Sequence, residues 1–172
     1  GSSSEEAAET AAQSKSDGVC LVPAFNGLGA PWWDSRALGL ISGLTLNTDK
    51  GALFAAAVES IAHQVADVVD AMNASGVEVQ RLLLDGGPSR NAKLREMLSA
   101  YIAKPVVHCS DAELSALGVA HLAGVGAGVW DWDAIRALSR AQQATDASDR
   151  TAATQPKRQR WAHAVAQSRL PR

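Results

Sequence analysis

The chain has 172 residues, room for one domain with a real core but not for two full ones. Apolar residues make up 47% and charged residues 20%, a balance that excludes wholesale disorder. A net charge of -2 gives no basis for gripping a phosphate backbone, so nucleic-acid binding is not expected.

Residues 1–17 are small and polar and read as a flexible lead-in with a short helix. Glu5, Glu6 and Glu9 are unlike the basic, then apolar, start of a secretory signal. The run Gly18–Phe25 (GVCLVPAF) reads as a short strand, which Pro23 keeps away from the centre of a sheet. Asn26–Asp34 is a loop of glycines, a proline and two tryptophans, dense enough to be packed and structural. Gly39–Thr45 is a second extended piece. A helix follows, with Asn47, Thr48 and Asp49 as candidate caps. Leu53, Phe54, Ala57, Val58, Ile61, Val65, Val68, Val69 and Met72 recur along it at steps of three and four, and Gly76 closes it. Glu59, His63, Asp67 and Asp70 fall off its most apolar face, so His63 reads as a polar-face or boundary residue, the alternative being a ligand.

Val79–Leu84 reads as a strand, Ser89 or Asn91 to Ile102 as a helix, and Val106–His108 as another strand. A third helix starts at Ser110 or Asp111, with Leu114, Leu117, Val119, Ala120, Leu122 and Ala123 on its buried side. Helix–strand–helix–strand–helix order predicts an α/β fold with parallel strands and helical crossovers. Beyond Trp130, residues 132–143 read as an amphipathic helix, 144–155 as a polar linker and 157–168 as a basic helix. Its Lys157, Arg158 and Arg160, with Arg169 and Arg172 beyond, are either a solvated face or a docking surface. No apolar run approaches the roughly 18 residues of a membrane span, so a cytoplasmic protein with no membrane partner is expected. Cys20 and Cys109 have no metal-ligand spacing and read as free thiols, with a disulfide the alternative.

The sharpest local signal is LLLDGGPSRNAKL, Leu82–Leu94. A strand delivers Asp85, Gly86 and Gly87 to the tip of a sheet, and a helix begins a few residues later. Paired glycines let a ligand approach the backbone, and a helix N-terminus offers free N–H groups and a positive dipole end. The spacing matches neither a Walker A loop nor a dinucleotide fingerprint. A nucleotide site and a plain strand-to-helix turn both fit the segment.

Five blocks taken together resemble the FGGY carbohydrate kinases: PAFNGLGAPWWD (Pro23–Asp34), GLISGL (Gly39–Leu44), AAAVESIAHQVADV (Ala55–Val68), LLLDGG (Leu82–Gly87) and ELSALGVAHLAG (Glu113–Gly124). Their order and spacing match the C-terminal domain of that family over about residues 18–130, and the tryptophan loop is most similar to glycerol kinases. The resemblance implies a partial actin-like, ribonuclease H-like domain at 18–130 and a helical tail at 131–172. It also implies ATP or ADP with Mg²⁺ as cofactor. Asp85, Gly86, Gly87 and Asn91 would lie at the nucleotide, and Glu113 and Ala116 would stand on a helix beside it. For Glu113 the alternative is a first-turn acid that stabilises its own helix.

Ala52 stands where the family usually has a polar residue, and Pro88-Ser89-Arg90 replaces the small apolar residues usual after the glycines. These departures bear on glycerol as the substrate. No segment matches the family's first domain, which carries the sugar site and the aspartate that acts as base. The opening strands of the second domain also have no match. The resemblance therefore implies a chain that meets its sugar or polyol only through the rest of the enzyme, with an open sheet edge favouring self-association. Three readings follow: part of an ATP-dependent kinase, a non-catalytic assembly module, or a fragment with no independent role.

Overall fold

The computed structural model describes residues 4–109, 114–138, 142–146 and 151–169. The elements are α1 (Ser4–Gln13), β1 (Cys20–Val22), β2 (Leu40–Ser42), α2 (Lys50–Ala74), β3 (Leu82–Leu84), α3 (Ala92–Ile102), β4 (Val106–Cys109), α4 (Leu114–Gly126), α5 (Trp132–Ala137), β5 (Gln142–Thr145) and α6 (Thr151–Ser168). A 3₁₀ turn, Gly87–Arg90, stands between β3 and α3.

β3 and β4 are parallel, with Leu82 opposite Val106, and α3 makes the crossover between them. This is the α/β arrangement expected from the sequence. β5 is a finding the sequence did not suggest. It pairs antiparallel with β4, Val106 opposite Thr145, giving the order β3-β4-β5. Residues 132–143 were expected as one helix, but the helix stops at Ala137 and the polar Gln142–Thr145 becomes a strand. An unpaired strand edge recruits such a segment through backbone hydrogen bonds, whatever its side chains. The edge beside β4 is therefore covered, while β3 has no outer strand partner among the described residues. β1 and β2 form a separate antiparallel pair, with Leu21 opposite Ile41.

α2 is the central helix, and its ends follow from its sequence. Asp49 caps it by accepting from the Ala52 amide at 2.8 Å. At the other end the Val77 amide reaches the Met72 carbonyl and the Gly76 amide reaches Asn73, with Gly76 at φ 89°, a Schellman closure. One flank packs on α3 and the β3–β4 sheet through Ala62, Ala66, Val69, Leu94, Leu98, Ile102 and Val106. Against β1 and the tryptophan loop, a second core gathers Val22, Ala24, Leu28 and Ala37 with Trp161, Ala164 and Val165 of α6.

α6 corrects two expectations. His63 is not on a solvated polar face: it is buried, stacked between the rings of Tyr101 and Trp161 at 4.7 and 4.9 Å. Glu59 and Asp67 are buried with it. The physical reason is a second layer of partners supplied by α6. Arg158 binds Asp67 at 2.7 Å, Asp70 at 3.0 Å and the His63 carbonyl at 3.0 Å. Lys157 pairs with Glu59, which also accepts from Ser16 and Tyr101. Lys157 and Arg158 are thus an internal clasp, neither a solvated face nor a docking surface, and Arg169 likewise pairs with Asp34 at 3.0 Å. Burial alone would raise the Glu59 carboxyl. The hydrogen bonds from Lys157, Ser16 and Tyr101 outweigh it and hold the group below the usual carboxylate range. Burial lowers His63 to about 3, so its ring is neutral in the fold. α2 is long and apolar enough to cross a membrane by length and composition, yet this charged stripe is bound on both sides within the chain.

The tryptophan loop divides its rings. Trp32 packs beside the second core and donates to Asp67 at 3.2 Å, whereas Phe25 and Trp33 are 85% and 80% exposed. Gly27 fits here for want of a side chain: φ is 81° and a Cβ would lie 2.7 Å from the Asp34 carbonyl oxygen. Cys20 and Cys109 are free thiols. α1, from the lead-in, packs along α2, with Ala11 buried and the Lys93 ammonium bound to the Ala11 and Ser14 carbonyls.

Candidate nucleotide site

β3 ends at Leu84 and delivers Asp85 and Gly86 into solvent at the mouth of a cleft. Gly86 has φ 80°, a conformation that favours glycine, and it turns the chain into the 3₁₀ segment. That segment is locked from beneath. The buried Ser89 hydroxyl donates to the Gly86 carbonyl at 2.6 Å, and Arg95 donates to the Ser89 carbonyl at 2.7 Å. Asn91 then caps α3, its Oδ1 accepting from the Leu94 amide at 3.2 Å. These bonds brace the turn while its glycines stay uncovered: a Cβ on Gly86 or Gly87 would meet nothing within 4 Å beyond its own chain neighbours.

The cleft in front of this turn has a volume of about 900 Å³. Gly87, Arg90 and Asn91 line one side, and Val58 and Ile61 of α2 line the other. Chemically it offers an apolar wall, a helix N-terminus whose first amides lack intrahelical partners, and a guanidinium. Of the residues singled out from sequence, Gly87 and Asn91 meet in this cleft, with Asp85 and Gly86 in the adjoining turn. Ala116 is exposed on α4 and is not among the cleft residues. Glu113 lies outside the described residues. Val58 and Ile61 were visible beforehand only as members of an apolar period. Nothing in the sequence sets them apart from that period, in which the structure leaves both Ile61 and Met72 exposed, at 39% and 40%.

α4 departs from expectation. Leu114 and Leu117 are half-buried, but Val119, Ala120, Leu122 and Ala123 are exposed, and His121 alone is buried among its described residues. His121 packs edge-on to Trp130 at 5.6 Å, so α4 closes on its own C-terminal extension and leaves its apolar face uncovered.

Residues 1–127 match the family model described as "FGGY family of carbohydrate kinases, C-terminal domain". A glycerol kinase of Streptococcus pyogenes is 39% identical over 156 residues, covering 90% of this chain and 31% of that protein. Among solved structures, Plasmodium falciparum glycerol kinase with ADP is similar at TM-score 0.83 and 29% identity, covering 99% of this chain and 35% of that one. Xylulose kinase from Rhodospirillum rubrum shares the fold at TM-score 0.75 and 23% identity, covering 95% of this chain and 33% of that one. The chain thus spans about a third of the length of the relatives it matches. Five sequence blocks, a glycine turn at the head of a helix and these likenesses agree: the chain belongs to the FGGY family of carbohydrate kinases, as its C-terminal domain.

Proposed function

We propose that this chain is the nucleotide-binding part of an ATP-dependent carbohydrate or polyol kinase, with ATP or ADP seated at the Asp85-Gly86-Gly87 turn. The observation that carries this reading is the bare backbone at Gly87. Apart from its two neighbours in the chain, no atom of the described residues comes within 4 Å of where its side chain would be, so packing among them gives no reason for a glycine. A ligand lying against the turn does. The α3 N-terminus and Arg90 favour its phosphates, while Val58 and Ile61 favour an apolar ring face.

Mg²⁺, if carried in on the nucleotide, would supply neutralisation of the phosphate charge. Among the described residues no group of three His, Cys, Asp or Glu is placed to hold a metal ion unaided. The acceptor hydroxyl of a sugar or glycerol, and the base that takes its proton, belong in this reading to the part of the kinase outside this chain. Glycerol is favoured by the 39% identity to a glycerol kinase. The proposed compartment is the cytosol, where the nucleotide is abundant.

The exposed apolar residues of α4, and an edge of β3 with no strand partner among the described residues, support a second reading as an assembly piece. The two readings are compatible, since a nucleotide half must dock on the half that holds the acceptor. Calorimetric titration of the chain with Mg·ATP and with ADP, repeated on Gly87→Asp, tests the first. Saturable binding at millimolar concentration or tighter, abolished in the variant, is the expected result. Absence of binding by the parent chain, or equal binding by the variant, overturns the site.

A further inference from the structure

A second cleft adjoins the first but includes none of the glycine-turn residues. It lies between the C-terminal end of α1, a flank of α2, the start of α3 and the first half of α6, and encloses about 290 Å³. Lys15, Lys93, Lys157 and Arg160 line it, against the carboxylates of Glu59 and Asp17. Three separate stretches of chain thus bring cations to one concavity, and positive charge is in excess there although the whole chain carries -2.

The carboxylates do not use up these cations. Glu59 is engaged by Lys157 and by two hydroxyls. Lys15 and Arg160 form no ion pair among the described residues. Arg160 and Lys157 also line the narrow recess that reaches Cys20 and His63, so the cleft has a polar floor. Ala55, Val58 and Met97 form its apolar walls. Low-dielectric walls around like charges concentrate their field and raise the local concentration of counter-ions.

We propose that this cleft binds a small phosphorylated metabolite, with Lys15 and Arg160 as the main phosphate contacts. A phosphate group accepts from several directions at once, as cations brought by separate segments require, whereas a carboxylate is satisfied by a single guanidinium fork. The volume sits at the low end of the roughly 300–1,000 Å³ of small-molecule sites, which suits a phosphate with a small body attached. The cleft shares Val58 and Lys93 with the proposed nucleotide site, so a test must tell the two apart.

The experiment is an amide-resolved NMR titration of the whole chain with inorganic pyrophosphate at constant ionic strength. The parent chain, Lys15→Ala/Arg160→Ala and Gly87→Asp are compared, with Arg81→Ala/Lys104→Ala, which also removes two positive charges, as a charge-matched control. Saturable shifts centred on residues 15–18 and 157–160 are expected, with Kd weakened about tenfold or more in the double variant and unchanged in the other two. Near-UV circular dichroism checks that the double variant, altered only at exposed positions, keeps the fold. Shifts confined to residues 86–92, loss of the shifts in Gly87→Asp, an unchanged Kd in the double variant, or no saturation would each overturn the proposal. Citrate binding as tightly as pyrophosphate would overturn the phosphate class.

Discussion

The Trp161 indole donates to Asp67 Oδ2 at 2.7 Å, joining α6 to α2 across 94 positions of sequence. The same oxygen accepts from Trp32, and Oδ1 accepts from Arg158, so one buried carboxylate ties the tryptophan loop and two helices together. In an asparagine one of the two oxygens becomes an NH2 group, which must then face either Arg158 or both indoles. Asp67→Asn is expected to cost about 3 kcal/mol of stability, as breaking one member of a buried charge network does. Urea denaturation followed by tryptophan fluorescence measures it, and a loss below about 1 kcal/mol would show the network to be incidental.

His63 makes acid sensitivity testable. Its ring is neutral in the fold, with a pKa near 3 against an ordinary value of 6.5. A depressed folded value means that the unfolded chain binds the proton first. The His63 contribution is therefore complete above about pH 6.5 and is lost as pH falls toward 3. His63→Phe keeps a ring between Tyr101 and Trp161 and removes the proton site. Melting temperatures at pH 7.5 and pH 5 are expected to differ less in the variant than in the parent. Equal differences would mean that another group sets the acid limit.

Gly86 and Gly87 separate backbone strain from ligand clearance. Gly86→Ala places a side chain at φ 80° and is expected to cost about 1 kcal/mol. Gly87→Ala meets open space within the chain, so stability should stay within about 0.5 kcal/mol. Nucleotide affinity should nevertheless fall in Gly87→Ala. Paired thermal melts and Mg·ADP titrations decide this, and a Gly87→Ala chain that binds ADP like the parent removes the clearance explanation.

The exposed face of α4 gives a prediction of opposite kind. Val119 and Leu122 are 66% and 60% exposed, so Val119→Asp/Leu122→Asp is expected to change stability by less than about 1 kcal/mol. Sedimentation velocity should show less self-association in the double variant. An unchanged distribution would leave the free edge of β3 as the surface through which chains meet.

Much of the fold could be read from local chemistry. Asp49, one of three cap candidates, and Gly76 mark the ends of α2, and Asn91, one of two candidates, marks the start of α3, because caps depend on one residue and its neighbours. The glycine turn was equally legible. β5 was not, since Gln142–Thr145 has no strand pattern and pairs because β4 leaves an edge beside it. Glu59, His63 and Asp67 were misjudged for the same kind of reason. Their residue types imply water, and the partners that replace water lie about a hundred residues downstream on α6. On the candidate cleft, the glycine side was visible as a motif. The α2 side was not, because Val58 and Ile61 look like any other members of a buried stripe.

The dependence of α2 on α6 orders events during synthesis. Glu59, His63 and Asp67 emerge from the ribosome long before Lys157, Arg158 and Trp161 can meet them. Until then the central helix carries charged groups with no second wall, and Val22 and Leu28 lack the aromatic side chain that fills their core. Folding of these segments thus waits for α6, and a chain cut before residue 151 would expose groups that α6 otherwise covers.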